Sequence, residues 1–122
     1  MKNEFNNLHW HDAELQSIRI DRSDPGKKDQ IVLIICWPDE KKSEVIFHDC
    51  YAFRAQMNFG IIAEETIRDA EYTESSEELN EIRRSWEKIG ADLSDLGQYQ
   101  IETNSTNSSL MICARGVWIK DI

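Results

Sequence analysis

The sequence is poor in the features that would place it in a specialised class. Its longest apolar run, from Ile31 to Trp37, is about a third of the roughly 20 residues a bilayer-crossing helix needs. The opening Met1-Lys2-Asn3-Glu4-Phe5-Asn6-Asn7 has no apolar core of the kind a secretory signal carries, so the expected location is the cytoplasm. The three cysteines, Cys36, Cys50 and Cys113, show neither CxxC nor finger spacing. Scattered thiols in odd number suit a reducing compartment, where buried cysteine behaves as a small hydrophobe. With two prolines and five glycines there is no Pro/Gly-rich linker, and no repeat or low-complexity tract is present, so residues 1–122 read as a single domain. Basic charge is also short. A formal net charge of −9 argues against nucleic acid or an anionic membrane as the main partner, because gripping phosphate needs clustered Lys and Arg. GxSxG, P-loop, GxGxxG and HExxH motifs are all missing, which favours a non-enzymatic role with no cofactor, no metal and no catalytic residue.

What is there describes an ordinary globule of 40% hydrophobic and 30% charged residues, long enough to bury its own core. Residues 13–21 read as a strand, followed by the turn Ser23-Asp24-Pro25-Gly26, in which Pro fixes φ and Gly accepts positive φ. Gln30 to Trp37 is nearly continuous Ile, Val and Leu, the mark of a strand covered on both faces, and Glu44 to His48 begins a third strand. Together they make an antiparallel meander. Phe53, Ala55, Met57 and Phe59 alternate as an extended segment up to Gly60, while 61–72 fits a short helix or a further strand. Leu79, Ile82, Trp86, Ile89 and Leu93 recur at helical spacing, with Ser75 and Glu78 as a capping box. Residues 99–103 and 110–119 form a C-terminal hairpin, with a bulge or kink expected at Gly116. The fold class is therefore α+β: a mostly antiparallel sheet, three-strand meander plus C-terminal hairpin, with one main amphipathic helix packed on one face.

Two features carry chemistry. The first is a pair of His-Asp dipeptides, His11-Asp12 (with His9 two residues earlier) and His48-Asp49 (followed by Cys50). A metal ion would need these groups to converge to within about 2.2 Å of one point. A plain meander instead puts them at opposite strand ends, on the order of 20 Å apart at about 3.3 Å per residue. The bland reading has Asp12 accepting from turn amides and each imidazole packing beside Trp10 or Tyr51. Cys50 beside His48 has the residue types of a nucleophile and base but no orienting third group. The second feature is charge: residues 64–95 hold eleven acids and four bases, and so carry −7 of the net −9. Such a face is commonly just solvated. Its functional reading is an electrostatic complement to a basic partner.

Trp10-His11-Asp12-Ala13-Glu14-Leu15, with Ile18 and Ile20 and then Val45-Ile46-Phe47-His48-Asp49-Cys50, resembles small bacterial proteins with an FHDAE-like opening, some of them immunity proteins of polymorphic-toxin systems. The resemblance implies a protector that binds and blocks a toxin, and it brings no catalytic residues. The leading expectation is thus an acidic protein-binding module. Its candidate surface is His11, Asp12 and Glu14, His48 and Asp49, and the acidic segment with Glu77, Glu78 and Glu81, anchored by Tyr72 or Tyr99. The alternative is a small metal-binding protein or metal-dependent hydrolase using the His-Asp pairs. A third reading is oligomeric pairing through a free strand edge.

Overall fold

Among the elements of the chain, the continuous apolar run is the one that fixes the rest. A computed structural model describes residues 2–122 and forms β1 (Glu14–Asp24), β2 (Lys28–Cys36) and β3 (Lys42–Gln56) as the meander. Ile31, Val32, Leu33 and Ile35 of β2 are at most 4% exposed, as a strand hydrogen-bonded on both sides requires. The β1–β2 turn places Gly26 at φ +87°, a conformation open to glycine at no steric cost, and Asp29 accepts from both Arg22 Nε (2.6 Å) and the Gly26 amide (3.2 Å).

The remaining elements are a one-turn helix α1 (Lys2–Asn6), β4 (Ile67–Thr73), α2 (Glu77–Glu87), β5 (Gly97–Thr103) and β6 (Ser109–Asp121). The sheet is antiparallel throughout, in the order β1-β2-β3-β6-β5-β4. The α+β, mostly antiparallel expectation agrees with this, but a three-strand meander plus hairpin undercounts: among the described residues the sheet has six strands, and the helices are two and short. The extra strand, β4, comes from the segment whose periodicity was ambiguous. A register shift between Ile67 and Asp69 interrupts its alternation, so Ile67 and Ala70 turn inward three residues apart, as on a helix. Before it, the alternating stretch from Phe53 stays in β3 only to Gln56, and Phe59 (84% exposed) stands in a loop with Ile61 and Ile62.

The sheet curls until its first and last strands meet at one end. Leu15 N–H donates to Glu65 O (2.8 Å), Ile67 N–H donates to Ala13 O (2.7 Å), and Glu14 pairs with Thr66. Inside this partly closed barrel lie Leu33, Val45, Phe47, Ile101, Leu110 and Ile112, all fully buried. Helix α1 stops the end of the barrel. The Phe5 ring sits 4.8 Å from Trp10 and 5.0 Å from Tyr99, and Trp10 Nε1 donates to Phe5 O at 2.8 Å.

Helix α2 lies on the outer surface over a second, smaller core of Leu79, Leu93, Leu96, Met111 and Cys113. The expected stripe is only partly used. Leu79 is buried, but Trp86 and Ile89 are 38% and 73% exposed. The helix ends at Glu87, and Gly90 at φ +87° turns the chain, so Leu93 reaches the small core from a loop. Arg83 holds that loop, donating to the carbonyls of Leu96 (2.6 Å), Leu93 (3.2 Å) and Glu74 (3.2 Å). The N-cap is Ser76 rather than Ser75: its Oγ accepts from Leu79 N–H (3.1 Å) and donates to Gln98 Oε1 (2.7 Å). Ser76→Ala removes both bonds, and chemical denaturation should register a loss of about 1–2 kcal/mol. Ser75→Ala should cost distinctly less.

Candidate functional site

Closure of the barrel decides where the two His-Asp pairs go. His11 and Asp12 precede β1 at its seam with β4: His11 Nδ1 lies 3.0 Å from Arg68 O, and the Asp12 amide donates to Ile67 O at 2.9 Å with Asp12 at φ +68°. Both side chains are well exposed, and His11 Nε2 lies 3.6 Å from Asp12 Oδ2. Glu14, half-buried, accepts from Gln16 Nε2 at 3.3 Å. His48 and Asp49 lie in β3, the third strand from that seam counted from β1 and the fourth counted from β4. The pairs therefore occupy opposite sides of the barrel. Among the described residues, no group of three or more His, Cys, Asp or Glu side chains is arranged to hold a metal ion.

His48 is a packed side chain on the outer surface. Its ring stacks on Trp118 (4.0 Å between centroids, 18° between planes), not on Tyr51. The stack is possible because Gly116 sits opposite His48 in the β3–β6 ladder: a Cβ there would lie 2.5 Å from Nε2. The sequence expectation of a bulge or kink at Gly116 is replaced by this close approach. His48 Nδ1 is 2.9 Å from Asp49 Oδ2, and Asp49 takes φ +51°. The imidazole thus fixes the carboxylate, which remains about half exposed.

Cys50 does not face this imidazole. It packs against the barrel core and its Sγ donates to Phe47 O at 3.3 Å. Burial pushes the Cys50 thiol up to about 12 and the Cys113 thiol up to about 11. At pH 8 an alkylating reagent should therefore modify no more than one thiol per folded chain, at Cys36, and all three after denaturation. Rapid modification of Cys50 without denaturant would contradict this. The same burial gives a sign for alkaline stability. Thiols held protonated in the fold contribute stability below the unfolded thiol pKa of about 8.5, and that contribution disappears as pH rises through the folded values.

On α2, Glu77 and Glu81 are exposed and Glu78 is half-buried. Among the described residues none of the three, nor Glu87, stands in an ion pair. Two of the segment's four bases are engaged elsewhere. Arg68 pairs with Glu102 (2.6 Å) and Asp69 (3.6 Å), and Arg83 is spent on carbonyls. The other two, Arg84 and Lys88, lie toward the helix's C-terminal end. The anchors expected beside this face fare differently. Tyr99 is 4% exposed and belongs to the barrel core, where burial raises its pKa, so it is not a surface group. Tyr72 is half-buried between Tyr99 (4.9 Å) and Gly97, whose missing side chain leaves room for the phenol ring.

The exposed aromatic on α2 itself is Trp86. It stands edge-on to Tyr51 (5.0 Å, 90°), and the Arg115 guanidinium lies over the Tyr51 ring at 5.7 Å. The two rings wall a groove of about 710 Å³ that also takes in Phe53, Asp49 and the Arg22–Asp29 pair of the β1–β2 turn. The groove follows a structural step. β2 pairs with β3 only as far as Ile31–Phe47, whereas β6 accompanies β3 to Gln56. From there on, β3 carries a strand on one side only. The Arg22 hydrogen bond beside Asp29, helped by the Gly26 amide, holds that carboxyl below its usual range. No signal in the sequence marks this groove, because where β2 leaves β3 depends on the curl of the whole sheet. No protein-family model and no curated protein matches the chain, so what it does has to be read from its own surface.

Proposed function

We propose that this chain is a non-enzymatic acidic binding protein, of the immunity type, that docks on and blocks a basic protein such as a toxin. The observation that carries this reading is the set of α2 carboxylates, Glu77, Glu78 and Glu81, which face solvent or its margin with no ion-pair partner among the described residues. Glu77 and Glu81 are four residues apart on one helix face, where like charges repel, so an approaching cationic surface relieves an internal repulsion as well as gaining attraction. Asp49 adds a carboxylate whose position is fixed by His48. Such a field steers association and discriminates between partners more than it supplies raw affinity. The metal-dependent alternative needs a shared site, and the His-Asp pairs stand on opposite sides of the barrel.

The test is affinity capture from the native host at low salt and at about 0.5 M salt, where the Debye length falls to a few ångströms. A basic protein retained at low salt and released at high salt is expected. Recovery of nothing at low salt would overturn the reading.

A further inference from the structure

The groove beside Trp86 combines three properties that bear on what it could hold. Its floor is a strand edge: β3 from Asp49 to Gln56 is paired by β6 on one side and by no strand on the other. Unpaired edge amides and carbonyls form a template for one more strand. Its wall is aromatic, with Trp86 still 38% exposed and Tyr51 already bearing the chain's own guanidinium, from Arg115, over its ring. Its charge is one carboxylate in excess. Arg22 and Asp29 neutralise each other at 2.6 Å, which leaves Asp49, half exposed and held by His48. A volume of about 710 Å³ is ample for a few residues of extended chain.

We propose that this groove takes an extended basic segment of the protein partner, added as a strand along the free edge of β3, with an arginine or lysine side chain lying against Trp86 and its charge on Asp49. Strand addition provides backbone hydrogen bonds independent of sequence, and alternate side chains supply selectivity. The hydrocarbon stem of a basic residue suits the aromatic wall, and its cationic end suits the indole face and the carboxylate. Chemical complementarity decides the occupant: an acidic segment would meet Asp49 with like charge, and an apolar one would leave that carboxylate unanswered. The site rests on the reading of the chain as a binder of a basic protein, and names where the partner's anchor enters.

The experiment is a titration of the full chain, followed by backbone and indole NMR, with a blocked five-residue peptide of alternating valine and arginine. A matched peptide with glutamate in place of arginine serves as control. Binding of the arginine peptide should shift the amides of Asp49 to Arg54 and the Trp86 indole. Affinity should fall about 10-fold in Asp49→Asn, which keeps the side chain's shape, and by a similar factor in Trp86→Ala. Glu77→Lys with Glu81→Lys should lower the peptide's affinity through the field, yet at saturation the same amides and indole should shift. Shifts confined to the first turns of α2, around Glu77 to Glu81, and abolished by that charge reversal would overturn the groove while leaving the acidic-surface reading standing. Equal binding of the glutamate peptide, or no shift from either, would overturn the groove as well, and the capture experiment would judge the wider reading separately.

Discussion

Replacing Phe5 with alanine should cost about 3–5 kcal/mol in chemical denaturation, the largest effect expected from any single truncation near the N-terminus. The side chain is 1% exposed and contacts the rings of Trp10, Phe47 and Tyr99 at 4.8, 6.2 and 5.0 Å. These residues come from the Trp10 turn, β3 and β5, so removing the ring opens a cavity that none of them alone can collapse to fill. Trp10 would suffer too, because its indole N–H is satisfied by the Phe5 carbonyl at 2.8 Å, and loss of the helical turn would leave that donor buried without a partner. A loss below about 1 kcal/mol would mean that the N-terminal turn does not plug the barrel.

That turn shows why part of the fold is legible in the sequence and part is not. The Ile31–Trp37 run reads as a covered strand because covering both faces removes alternation, and it is indeed flanked by β1 and β3. The α2 helix is legible from its spacing, although only its first half is buried. Hydrophobic spacing cannot say that Gly90 will turn the chain and leave Trp86 in solvent. Helix α1 spans five residues and buries Phe5, too little for any periodicity to register. Closure through the Glu14–Thr66 bridge is a long-range event and no local pattern announces it. The candidate site divides in the same way. The acidic residues are visible by counting, but whether they are already neutralised depends on where Arg68 and Arg83 point. Tyr99 looks like a surface anchor in the sequence and proves to be core, whereas Trp86 looks like core and proves to be a groove wall.

The largest functional effect should come from reversing charge on α2. Glu77→Lys together with Glu81→Lys changes the local charge by four units on a face whose carboxylates have no ion-pair partner among the described residues. Affinity for a basic partner should fall on the order of 100-fold, mostly through slower association and like-charge contact. The fold should tolerate the change, because both side chains are exposed and only Glu77, in the first turn, loses a favourable interaction with the helix N-terminus, about 0.3–1 kcal/mol. Equal binding by the doubly reversed variant, with unchanged melting, would remove α2 from the interface.

The most direct test is the affinity for the captured partner measured across ionic strength. If carboxylates without counter-charges make the contact, the dissociation constant should rise steeply, by about tenfold or more between dilute buffer and 0.5 M salt, with the association rate carrying most of the change. A dissociation constant that stays flat over that range would show that the contact is made elsewhere.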